Sequence, residues 1–165
     1  MSKLFVDTIE PKTTGGVINF QPNRPMFQVG LSSDQSIPTG TTTQIDWNDI
    51  QTSSGGFNIG GHFDLSNHWF KPTVSGYYFL IVQARIEFAT PDYLTVNINK
   101  NGTSIRFHNG VESNASNAYV TTHSTTIVYM NGSSDYITVD CSHNSGSAKD
   151  LMSNYGQTQF GGFLI

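Results

Sequence analysis

The run over residues 77–88 contains no glycine, no proline and no helical spacing of apolar side chains, so its pattern predicts one long strand. Its even positions, Tyr78, Leu80, Val82, Ala84, Ile86 and Phe88, are all apolar, which buries one pleated face along the whole length. The odd positions begin Tyr77, Phe79, Ile81 and turn polar at Gln83, Arg85 and Glu87. Half of the second face is thus apolar as well. That calls for a second burial surface: another subunit or, for a strand central to a two-layer sandwich, loops of the same chain.

The alternation recurs along the chain. Phe27, Val29 and Leu31 share one face of a strand that opens a domain at Met26; Ile45 and Trp47 share a side over residues 43–48; Phe57-Asn58-Ile59 makes another short strand. Leu94, Val96 and Ile98 alternate with Thr95, Asn97 and Asn99. Asn101-Gly102 is a hairpin signal, because both residues tolerate the positive φ of a type I′ turn, and Ile105 and Phe107 carry the alternation beyond it. Residues 108–117 read as a surface loop, after which strand pattern resumes at Tyr119-Val120 and runs over 124–130 to a second turn at Asn131-Gly132. Residues 136–141 put Ile137, Val139 and Cys141 inside, and 143–156 read as a long loop. The last strand, 158–165, ends on apolar residues that must be tucked into a sheet or an interface. Nine or ten short strands punctuated by turns predict a two-sheet sandwich of jelly-roll or Greek-key type.

Residues 1–25 differ from the rest. Pro11, Gly15, Gly16, Pro22 and Pro25 break the segment before it can bury a core, so it reads as an extended arm. Its apolar Leu4, Phe5, Val6, Ile9, Val17, Ile18 and Phe20 favour attachment to a partner over disorder.

Composition narrows the function. A chain of 165 residues suits one well-buried domain. Charged residues are 12% of it, about half the usual share, so Ser, Thr and Asn carry the solvation. The net charge of −4 and eight scattered Lys and Arg argue against a nucleic-acid partner. No apolar run reaches signal-peptide or membrane-span length, so neither classical export nor membrane insertion is expected. Cys141 is the single cysteine; it cannot form an intrachain disulfide and reads as a small apolar filler.

Candidate chemistry is sparse. His62 and His68 have no metal-pair spacing, and His108, His123 and His143 sit in Ser- or Asn-rich settings typical of solvated loops. Three-fold symmetry could still gather one histidine per chain on an axis. No Gly-x-Ser-x-Gly elbow occurs, and nothing marks Asp46, Asp49 or Asp64 as a buried carboxylate pair. Asp135 and Asp140 lack calcium-ligand spacing. Asn101, Asn114 and Asn131 fit the glycosylation pattern but read as turn residues in a chain without a secretory signal. Trp47, Trp69 and Tyr93 could stack on sugars or serve as packing. No enzymatic activity, cofactor or metal is expected.

The order of landmarks carries a resemblance. The segment from Phe63 through Trp69-Phe70-Lys71-Pro72 to Gly76-Tyr77-Tyr78-Phe79 resembles the signature of the complement C1q globular head, Asn131-Gly132-Ser133-Ser134-Asp135-Tyr136 resembles its penultimate hairpin, and Phe160-Gly161-Gly162-Phe163-Leu164-Ile165 its terminal strand. Leu80 departs from it, since the family usually has an aromatic there. The resemblance, over residues 26–165, implies the ten-strand jelly roll shared with tumour necrosis factor, assembled as a homotrimer, and it assigns Tyr77, Phe79, Ile81, Tyr129 and Phe163 to the trimer interface. Residues 4–18 resemble the leaders of bacteriophage tail-fibre and other virion proteins, with Leu4, Phe5, Val6, Ile9, Val17 and Ile18 as anchor residues. Together they lead us to expect a non-enzymatic phage virion protein, a trimeric fibre knob or capsid decoration. Residues 1–25 would anchor it to a phage capsid or tail protein, and the loops at 108–118 and 143–156 would be free to meet a host-surface glycan or protein. Made in the host cytoplasm without a signal peptide, it would reside in the virion. The alternative is a soluble C1q/TNF-like ligand- or glycan-binding module of a cell, which would need a secretion route. A depolymerase would need a groove of carboxylates, against which the low charge argues.

Overall fold

The computed structural model describes residues 24–50, 55–88, 93–109, 118–153 and 156–165, and their regular elements are all strands. The anchor residues Leu4, Phe5, Val6, Ile9, Val17 and Ile18 and the loop residues 110–117 lie outside the described residues. The strands are β1 (Met26–Gly30), β2 (Gln35–Ile37), β3 (Thr43–Gln44), β4 (Phe57–Ile59), β5 (Phe63–Asp64), β6 (Trp69–Phe70), β7 (Gly76–Phe88), β8 (Leu94–Lys100), β9 (Thr103–Asn109), β10 (Ala118–Met130), β11 (Ile137–His143), β12 (Lys149–Leu151) and β13 (Gln159–Leu164). Ten of them form two antiparallel lanes, β4-β1-β13-β7-β10 in one sheet and β5-β6-β11-β8-β9 in the other. Most neighbours in each lane are distant in sequence, which is the wiring of a jelly roll. The three short extras, β2, β12 and β3, pad β7 and β11.

β7 organises the molecule as its pattern demands. Tyr78, Leu80, Val82, Ala84 and Ile86 are fully buried between the sheets, opposite Leu94, Val96, Ile98, Ile137, Val139 and Cys141. Burial of the Tyr78 ring pushes its hydroxyl pKa up to about 12, and the neutral hydroxyl donates to the Val74 carbonyl at 2.7 Å. At one end of the core the rings of Phe70, Phe160 and Phe63 surround Phe27 at centroid distances of 4.4, 4.9 and 5.1 Å. Trp47 lies 5.8 Å from Phe160 and is fully buried, which makes it packing rather than a sugar platform. Cys141 is buried too, and desolvation with the Asp140 carboxylate beside it pushes the thiol pKa up to about 12, far from a reactive thiolate.

Two turns carry the asparagine-glycine signal and differ in kind. Asn101 and Gly102 both take positive φ, 53° and 77°, and close the β8–β9 hairpin as a type I′ turn requires. Asn131-Gly132 closes no hairpin, because β10 and β11 belong to different sheets; it is a corner in which Asn131 Oδ1 accepts from the backbone N–H groups of Ser133, Ser134 and Asp135. A Cβ on Gly132 (φ 69°) would meet the Ser75 nitrogen at 2.5 Å, whereas one on Gly102 would meet only the Tyr136 hydroxyl at 3.8 Å. We therefore expect Gly102→Ala to cost roughly the 1–2 kcal/mol of a left-handed L residue, and Gly132→Ala at least twice that. Chemical denaturation of both variants checks the ratio.

The same corner holds a small ionic clamp. Lys100 Nζ sits 2.8 Å from Asp135 Oδ2, Asn101 Nδ2 donates to Asp135 Oδ1 at 2.9 Å, and Lys100 also donates to the Tyr129 carbonyl at 2.7 Å. The hydrogen bonds from Lys100 and Asn101 hold the Asp135 carboxyl below its ordinary range. Such a group adds stability that is complete above its unfolded pKa near 4 and is lost as the pH falls through its lower folded value. Asp135→Asn should thus unfold at lower denaturant than the parent at pH 7, with the gap closing toward pH 3 in paired titrations.

Some expectations change. Residues 43–48 form a ladder only over β3, yet Ile45 and Trp47 are buried without one. Residues 143–156 are not one surface loop: β12 crosses them and buries Leu151, and His143 ends β11 fully buried. Its Nε2–H donates to the Ile37 carbonyl at 2.8 Å, while Nδ1 accepts from the Ser145 backbone N–H at 3.3 Å and lies 2.9 Å from the Ser145 hydroxyl. His108 and His123 likewise belong to strands, β9 and β10.

Candidate functional site

Among the described residues, the outward face of the first sheet is where apolar groups stand without cover. Strand register lines up Ile59, Met26, Phe163, Phe79 and Ile127 across β4, β1, β13, β7 and β10 as one row. Tyr77 and Tyr129 pair beside it, and the next row runs Phe57, Gln28, Gly161, Ile81 and Thr125. Tyr77, Ile81, Tyr129, Ile127 and Phe163 are exposed by 61%, 43%, 49%, 60% and 46%. Phe79 is half-buried, its ring 5.5 Å from that of Phe163, and the Tyr77 and Tyr129 rings meet edge to face at 5.4 Å. All five residues assigned from the sequence thus share one surface, and the structure adds Ile127 and Ile59 to it.

A second apolar surface lies on the adjoining edge. β9 is the last strand of the second sheet, and its Ile105 and Phe107 are exposed by 39% and 55%. The alternation there marks a face that none of the described residues covers. β10 joins the two surfaces, since it is hydrogen-bonded to β7 in the first sheet and packs beside β8 and β9 at the open edge of the sandwich.

A polar band crosses the apolar face. Gln159, Gln83 and His123 stand in register on β13, β7 and β10. Gln28 Nε2 donates to Gln159 Oε1 at 3.2 Å, Gln83 Nε2 donates to the Gln157 carbonyl at 3.0 Å, and His123 Nε2 meets Gln83 Oε1 at 2.8 Å. Together with Ile81 and the bare backbone of Gly161 these side chains line a cavity of about 170 Å³. Beyond the band the Arg85 guanidinium stacks over Tyr119 at 4.2 Å.

The other candidate groups form no site. Among the described residues, no three His, Cys, Asp or Glu side chains of one chain come together as metal ligands. His62 is held by the Thr73 N–H, and burial lowers its pKa. His68 turns Nδ1 to the Trp47 carbonyl at 3.1 Å, with Asp46 3.9 Å from its Nε2. The Asp64 carboxylate accepts from the Asn67 side-chain amide at 2.6 Å and from the backbone N–H groups of Asn67 and Ser66, which lowers its pKa. Trp69 packs against Tyr136 with ring centroids 4.9 Å apart and planes tilted by 43°.

No protein-family model matches the chain, and no curated protein matches it by sequence. Solved structures do. Murine APRIL superposes over 87% of this chain and 100% of its own with a TM-score of 0.61 at 16% identity. The globular domain of zebrafish complement 1qA covers 87% and 98% at a TM-score of 0.60 and 14% identity. The fold is the C1q/TNF-like jelly roll. Eiger TNF from S. frugiperda gives the same answer, 88% and 94% covered at a TM-score of 0.60 and 8% identity. In that C1q/TNF-like frame, the outward face of β7, β13 and β10 and the edge at β9 are surfaces this chain has filled with its own aromatic and aliphatic residues.

Proposed function

We propose that this chain is a non-enzymatic structural and adhesive protein that works as a homotrimer, carried on a bacteriophage particle as a fibre knob or capsid decoration. One observation carries the assembly: one protomer bears two different apolar surfaces, the outward face around Phe79 and Phe163 on the first sheet and the β9 edge around Ile105 and Phe107 on the second, with β10 between them. A two-fold dimer would use one self-complementary patch, whereas two unlike patches make head-to-tail contacts that close into a ring. The smallest such ring is a trimer, which is also what the C1q-head resemblance implies. The particle assignment draws on the likeness of residues 4–18 to virion-protein leaders, with Leu4, Phe5, Val6, Ile9, Val17 and Ile18 as the anchor to a capsid or tail protein.

Light scattering on the full chain, and on a chain shortened to begin at Met26, should give three times the 18.1 kDa protomer mass for both. A trimer only for the full chain would move the arm from anchor to assembly interface, and a monomer in both would overturn the ring. Immunogold labelling of particles from the producing lysate, with antibody to residues 26–165, should decorate their exterior. Label confined to the particle-free supernatant would favour a soluble binding module instead.

A further inference from the structure

We propose that three copies of His123, one from each protomer, hold a single divalent transition-metal ion of the zinc type on the three-fold axis. The inference rests on the ring assembly proposed above. In such a ring each protomer offers its face to one neighbour and its edge to the other, so all three chains touch along the line where the two patches meet. On this molecule that line is β10. Of its outward side chains, Tyr119, Thr121, His123, Thr125, Ile127 and Tyr129, only His123 is a common ligand for such a metal.

The imidazole is already set up for the task. Gln83 donates its amide N–H to the Gln157 carbonyl, and flipping that amide would bring two carbonyl oxygens together; Gln83 Oε1 therefore faces His123 and must accept. His123 thus donates from Nε2 and keeps its lone pair on Nδ1, the arrangement in which ligating histidines are usually fixed by an outer hydrogen bond. His123 is exposed in the protomer, and its Nδ1 has no partner among the described residues. Assembly would strip water from that nitrogen and from the glutamine band around it, at a cost that an apolar row would avoid. A bound ion satisfies the three Nδ1 atoms at once, and a water completes the tetrahedral set that three imidazoles leave open.

The test uses the full chain, made without a polyhistidine tag and stripped with EDTA. Calorimetric titration with ZnCl2 should give one ion per three chains, with light scattering on the same samples reporting a trimer, and Co2+ should show the intense visible absorption of a tetrahedral site. His123→Ala should weaken zinc binding at least 100-fold, and His108→Ala, an exposed histidine on β9, should leave it unchanged. A trimer that binds no zinc, binds one ion per chain, or keeps its site in His123→Ala overturns the metal site and leaves the assembly standing. In that case the glutamine-histidine band serves only to fix the register of the ring. A monomer overturns both. If His123→Ala does not assemble, stoichiometry and the cobalt spectrum of the parent chain decide alone.

Discussion

Ile127→Asp should convert the proposed trimer to protomers without unfolding them. Ile127 is 60% exposed and stands beside Phe79 in the register of β10 on β7, so the protomer loses little packing when it changes. In the proposed ring the same position would be dry. A carboxylate buried there without a partner costs about 3–5 kcal/mol, and at 1.4 kcal/mol per decade one such site weakens association by roughly three orders of magnitude. Three sites per ring compound the loss. Light scattering at micromolar concentration should return the 18.1 kDa protomer mass, with a β-type circular dichroism spectrum and a cooperative melt retained. A variant that stays trimeric would mean that the outward face of β7, β10 and β13 is not the contact surface.

Phe160→Ala should act on the other side of the same sheet and do the opposite: unfold the protomer rather than separate it. Phe160 is fully buried on β13, in ring contact with Phe27 at 4.9 Å, Trp47 at 5.8 Å and Phe63 at 6.1 Å. Those partners come from both sheets and from the segment after β3, so no single element can move in to fill the space. Deleting a ring from such a site costs about 4 kcal/mol, the transfer term plus the cavity left behind. For a chain of this size that lowers the melting temperature by roughly 10 °C, compared at one protein concentration because assembly makes the midpoint concentration-dependent. A shift of only a degree or two would show that the aromatic cluster relaxes around the gap.

Periodicity told which side chains share a face, and did so well for β7, β8 and β11, where one face is buried end to end. It could not tell which face is covered. Ile105 and Phe107 continue an alternation that reads as core, yet both are exposed, because β9 is the last strand of its sheet. β2 and β12 escaped reading because three residues carry too little pattern; they exist by pairing with each other and with β7. His143 was legible in principle: the parity that buries Ile137, Val139 and Cys141 continues to it, and its Ser and Asn neighbours masked the signal. The Gln83–His123 contact was not. Two residues forty positions apart meet only through the register of β7 and β10, which no local pattern states.

The place of β1 has a mechanical meaning. The strand is bonded on both sides, to β13 over five residue pairs and to β4 over three, and the Pro25 carbonyl just before it accepts from Leu164. Force entering the domain through its N-terminal side therefore pulls along two antiparallel ladders whose bonds lie across the pull, so they must be sheared together rather than peeled one at a time. A head tethered at Pro25 would resist detachment through rupture force, a quantity set by this local wiring and separate from the free energy of folding.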